Sequence, residues 1–68
     1  MNRQLIRAIR DLEGLNQHKF AELTGVSRST LAYIEAGYIA ASPEISRRIK
    51  EAVGHERVEQ VAALLNEK

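Results

Sequence analysis

Apolar residues recur along this chain at helical spacing, in short runs divided by glycine. With residues set about 100° apart, Leu5, Ile6, Ile9 and Leu12 share one side of a helix, and Arg3, Arg7, Asp11 and Glu13 fall elsewhere. The pattern predicts a first helix over about residues 2–13, with Gly14 as its left-handed cap and Leu15 turning inward. Asn16 is a good N-cap for a second helix reaching about Thr24, with Phe20, Ala21 and Leu23 pointing in. Gly25 supplies a sharp turn and Val26 plugs the corner. Ser27 then caps a third helix from Arg28 to about Ala36, whose buried stripe is Leu31 and Ile34. The opposite face holds Ser29, Ala32, Tyr33 and Ala36 and no charge. A solvated face normally carries Lys and Glu, so this one reads as a contact face.

After Gly37 the start signal Ser42-Pro43-Glu44 predicts a fourth helix with Ile45, Ile49, Ala52 and Val53 inward, closed by Gly54. A fifth helix from about Glu56 to Asn66 uses Val58, Val61, Ala62 and Leu65. On one continuous wheel these last two stripes fall on nearly opposite sides. A single straight helix therefore buries both only if it is shared between swapped subunits; two helices with a break is the preferred reading. The fold class is all-α: one compact bundle of five short helices over residues 1–68, with residues 55–68 as a C-terminal helix available for dimerisation.

Composition narrows the function. A chain of 68 residues without cysteine has neither disulfides nor thiolate metal sites to staple it, so its stability comes from helix packing, within one subunit or shared with a second. No apolar run is long enough for a membrane helix or a signal peptide, so the expected location is the cytoplasm. His18 and His55 lie far apart, with no nucleophile–base order, phosphate-cradling glycine loop or metal-ligand spacing near them. The expectation is no enzyme, no cofactor, no metal and no small-molecule ligand. Net charge is only +1, which does not by itself announce nucleic acid. The excess is placed forward: residues 1–30 hold Arg3, Arg7, Arg10, Lys19 and Arg28 against Asp11, Glu13 and Glu22.

The tight turn between the second and third helices is that of a helix-turn-helix. The stretch IRAIRDLEGLNQHKFAELTGVSRSTLAYIEAG resembles the lambda-repressor and Cro class of such domains. The pattern is Gln17, then Ala21 and Leu23, Gly25-Val26-Ser27, and Ile34-Glu35-x-Gly37; the resemblance covers about residues 4–54. It implies binding to double-stranded DNA through the major groove, as a phage or bacterial transcriptional regulator, most often a repressor on a near-palindromic operator. It implies base reading by Arg28, Ser29, Thr30 and Tyr33. Arg28 is suited to guanine O6 and N7 or to a phosphate. Thr30 reads a base or serves the cap, and Tyr33 contacts DNA or packs on the second helix. Gln17, Lys19, Ser27 and Tyr38 are the expected phosphate contacts, with Gln17 helped by the helix dipole. Arg10 and Glu35 are the expected structural ion pair.

Few cations serve such a contact, so a homodimer is expected on DNA. Ile39, Val58, Val61, Leu64 and Leu65 are its candidate interface, although Leu64 and Leu65 could instead fold back on their own core. The connector GYIAASPE departs from the family habit of basic residues there: from Gly37 to Ser46 it has no cation. That favours Ile39 packing on protein, either on its own core or across a two-fold axis. It also keeps open a different class of function, a protein-interaction adaptor or antitoxin-type module on the same fold.

Overall fold

Four of the five helices begin where a side-chain oxygen replaces a missing backbone partner. In this computed structural model, which describes residues 1–66, α1 spans Arg3–Leu12, α2 Gln17–Thr24, α3 Arg28–Ala36, α4 Pro43–Val53 and α5 His55–Asn66. Asn2, Asn16, Ser27 and Ser42 each accept from the backbone N–H three residues on, at 2.8, 2.9, 3.2 and 3.2 Å. Each such cap is worth about 1 kcal/mol, which matters in a domain this small. Residues 67 and 68, the end of the expected dimer helix, lie outside the described residues.

The helices wrap one core of Ile6, Ile9, Phe20, Val26, Leu31, Ile34, Ile49, Val58 and Val61. α3 packs on both α1 and α2, α4 rests on α2, and α5 closes the bundle against α1 and α4. The break between α4 and α5 is Gly54, at φ 107° and ψ 130°. An L side chain rarely adopts that backbone, so glycine lets the chain redirect the α5 stripe into the same core that the α4 stripe enters.

Several inward assignments change. Leu12 is 56% exposed and Leu23 47% exposed. Leu12 is the last residue of α1, on the edge of the Ile6–Ile9 stripe. On α2 the buried face runs through Phe20 and Thr24, four residues apart, which leaves Leu23 about 60° around the helix and facing out. Thr24 tolerates burial because its Oγ1 donates to the Phe20 carbonyl (2.8 Å) and accepts from the Val26 N–H (3.3 Å).

The main correction concerns α5. Val58 and Val61 are each 3% exposed within a single subunit, so they belong to its own core and cannot form the surface of a dimer. Leu64 and Leu65 remain outside, 62% and 47% exposed. Val61→Ala is therefore expected to lower unfolding stability by about 2 kcal/mol in chemical denaturation, equally at low and high protein concentration. A loss that vanished at high concentration would return Val61 to the interface.

Candidate nucleic-acid interface

α2 and α3 are joined through Gly25, Val26 and Ser27, and this tight connection brings their N-termini to one side. On α3, Leu31 and Ile34 are buried while Arg28, Ser29, Tyr33 and Ala36 are exposed and Ala32 is half-buried. Apart from Arg28 at its start, the exposed surface of α3 carries no charge. At that start, Ser27 Oγ accepts from the Thr30 N–H and donates to Thr30 Oγ1 at 2.7 Å. Thr30 is half-buried, and its hydroxyl oxygen accepts from Ser27, which leaves its own O–H over.

A polar chain runs behind this face. Glu35, with a side chain 7% exposed, receives Arg10 Nη2 at 2.8 Å on Oε1 and Arg10 Nε at 3.0 Å on Oε2. This two-point fork is the strongest geometry an arginine and a carboxylate can adopt. The hydrogen bonds and charge of Glu35 raise the Arg10 pKa above its ordinary value, so the guanidinium keeps its charge. Arg10 also donates to the Leu15 carbonyl at 3.2 Å, fastening the chain between α1 and α2. Gln17 Nε2 donates to Glu35 Oε1 at 3.4 Å, and Arg28 Nη1 donates to Gln17 Oε1 at 3.5 Å. The last two contacts are long and weak. They nonetheless set Gln17 between the buried pair and the first residue of α3, with one amide hydrogen of Gln17 left over for a ligand.

The Helix-turn-helix family matches residues 6–59 of this chain. The chain belongs to the helix-turn-helix family. A protein of Methanothermobacter thermautotrophicus described as an uncharacterized HTH-type transcriptional regulator is 39% identical over 62 residues, which span 91% of this chain and 90% of the relative. No solved structure matches the chain.

Around the helix-turn-helix core, the other candidate residues take separate places. Lys19 is exposed on α2 and lies 3.6 Å from Glu22, a solvated pair that constrains it little. Arg3 reaches back from α1 and donates to the Ala36 carbonyl at 3.3 Å. Its guanidinium lies over Gly37, where a Cβ would collide with it and where φ is 87°. Gly37 thus ends α3 in a left-handed cap, with Tyr38 N–H donating to the Tyr33 carbonyl at 2.9 Å. Tyr38 is 79% exposed and meets Tyr33 edge to face. Ile39 is 45% exposed, so it does not pack on its own core.

One groove beside Ile39 and another beside Leu65 are both walled by Met1 and Asn2. Ile39 and Leu65 therefore flank the same short segment of chain. Among the described residues no group of three or more His, Cys, Asp or Glu is placed to hold a metal ion, and no helix is long and apolar enough to cross a membrane.

Two α4 residues carry contacts that sequence pattern did not single out. Arg48 Nη1 donates to the Gly25 carbonyl of the turn at 2.9 Å, and its Nε donates to Glu44 Oε2 at 3.1 Å. Arg47 also binds Glu44, at 2.7 and 2.8 Å. Hydrogen bonds from Arg47 and then Arg48 hold the Glu44 carboxyl below its usual value. The N-terminus of α4 is thus occupied by an internal anion. The spacing Glu44-x-x-Arg47-Arg48 was the available signal, since residues three and four apart meet on a helix.

Removing Arg10 leaves Glu35 buried without its counter-charge. Arg10→Ala is expected to lose about 3 kcal/mol of stability, on the order of 15 °C in Tm for a domain this size. DNA binding should fall with it. Thermal melting checks the claim; a normal Tm with weakened binding alone would remove the structural role of the pair.

Proposed function

We propose that this domain binds double-stranded DNA sequence-specifically as a homodimer, with α3 in the major groove, and acts as a small transcriptional repressor of the Cro type. The observation that carries this reading is the chain Arg10–Glu35–Gln17–Arg28. It ties the starts of α2 and α3 together beside an exposed α3 surface that is otherwise uncharged. Arg28, Ser29 and Tyr33 meet base edges, joined by Thr30 through the O–H that its contact with Ser27 leaves over. Gln17, Lys19 and Ser27 meet phosphate near the first turns of α2 and α3, where backbone N–H groups and the helix dipole favour an anion. The relative's description as a transcriptional regulator supports the same reading.

Ionic contacts in this reading are few. Arg10 is committed to Glu35, and Arg47 and Arg48 are held by Glu44. Of the front-half cations, Lys19, Arg28 and one of Arg3 or Arg7 serve phosphate in each subunit. A dimer neutralising that many phosphates has a log K against log salt slope of about −5.

Selection from random duplexes, followed by salt titration and footprinting, tests the proposal. The expected outcome is one enriched near-palindrome with half-sites about 34 Å apart and a slope near that value. A slope steeper than about −8 would mean that cations left out here are engaged. No enriched duplex would favour the adaptor or antitoxin reading, for which the uncharged connector is the specific support.

The dimer uses Ile39, Leu64 and Leu65, with Val58 and Val61 withdrawn into the core. Because Ile39 lies outside the core, Ile39→Lys is expected to change stability by no more than about 0.5 kcal/mol while weakening self-association in sedimentation. Stronger DNA binding with an unchanged dimer would contradict this.

A further inference from the structure

The connector after α3 lacks cations, yet it carries a tyrosine that is 79% exposed. An aromatic ring so far out of the core contributes little to folding, so its position invites another explanation. Tyr38 is not randomly placed. The chain reverses at Gly37, and the Tyr38 N–H donates to the Tyr33 carbonyl at 2.9 Å. That backbone bond folds position 38 back over position 33. The two ring centroids stand 6.1 Å apart with planes inclined by 70°, the edge-to-face arrangement that aromatic quadrupoles favour.

Tyr33 shares the outward face of α3 with Ser29. A tyrosine alone on an exposed helix face samples several rotamers, and a rotating ring discriminates poorly between bases. An edge-to-face neighbour at that distance favours the Tyr33 rotamer that meets it. A neutral hydroxyl on Tyr38 releases no counterion, so it adds little to the salt-dependent part of affinity. The hydroxyl is therefore the weaker candidate for what Tyr38 contributes.

We infer that Tyr38 is a positioning residue for Tyr33. Its ring, rather than its hydroxyl, holds the Tyr33 ring against the base step that Tyr33 meets. The connector then adds selectivity where other residues would add charge. The inference rests on the proposed DNA reading, and the experiment separates the two. Random-duplex selection is run with the wild type, Tyr38→Phe, Tyr38→Leu, Tyr33→Leu and the Leu/Leu double variant, each checked by melting. Both side chains are largely exposed, so all five proteins are expected to melt alike.

Tyr38→Phe keeps the wild-type base preferences. Tyr38→Leu relaxes preference by about threefold, the lower end of what an edge-to-face pair supplies, at the base position that Tyr33→Leu also relaxes. The double variant is no more relaxed there than Tyr33→Leu alone. Equal loss in Tyr38→Phe and Tyr38→Leu would assign the effect to the hydroxyl and overturn the inference. So would an unchanged preference in Tyr38→Leu, or relaxation at a position Tyr33 does not influence. A wild type that enriches no duplex would remove the DNA reading and the inference together, whereas enrichment that Tyr38→Leu leaves intact removes the inference alone.

Discussion

The carboxylate of Glu35 is the point at which three helices are fastened to one another. It belongs to α3, is nearly buried, and accepts from Arg10 of α1 and Gln17 of α2. A charge taken from water at this depth is tolerated only when its partners are well aligned. The Arg10 fork meets that condition and restricts the angle at which α3 crosses α1. The same arginine holds the Leu15 carbonyl, so the entry to α2 is set by the same charge. From Glu35 the chain of contacts passes through Gln17 to Arg28 and so reaches the surface. The crossing of α3 over its neighbours and the layout of the candidate interface thus share a single interaction.

Arrangement of charge explains how a domain of net charge +1 keeps the exposed face of α3 nearly free of anions. Glu35 lies behind the candidate contact surface of α3 and neutralises Arg10 there. Glu44 gathers Arg47 and Arg48 at the start of α4, and through Arg48 it also braces the Gly25 turn. Glu35 and Glu44 therefore serve the protein's own arginines. What remains on the α3 surface is Arg28, hydroxyls and an aromatic ring. A surface of that kind depends more on shape and hydrogen bonding than on the phosphate attraction that dominates non-specific binding.

Most of the fold could be read along the chain because its signals are local. Asn16, Ser27 and Ser42 announce helix starts, glycines mark the stops, and Ile6, Ile9, Phe20, Leu31, Ile34 and Ile49 follow helical spacing into the core. The failures have a common cause. Leu12 and Leu23 have the right residue type at the margin of a stripe, and only the crossing of neighbouring helices decides that they stay out. Thr24 goes inside because its hydroxyl finds two backbone partners, which hydropathy cannot express. Val58 and Val61 were expected at a partner surface because the wheel does not say which body a stripe packs against; α5 turns them onto its own subunit. Of the candidate site, the Arg10–Glu35 pair was legible through the family resemblance. The bond from Arg48 to Gly25 was not, since a long side chain spanning 23 residues leaves no mark in periodicity.

The central claim is that one buried pair serves both the fold and the site, and a double-mutant cycle separates those roles. Replacing Arg10 by Met and Glu35 by Leu together removes both charges while keeping the volume filled. Such a swap is often neutral for stability, although either single replacement is costly. The double variant is expected to melt within about 1 kcal/mol of the wild type, with each single variant well below it. With Gln17 no longer anchored, its affinity for the selected duplex should nevertheless fall by about tenfold, the equivalent of one lost hydrogen bond to a charged group. A double variant that binds as tightly as the wild type, or single variants whose losses simply add, would contradict the account.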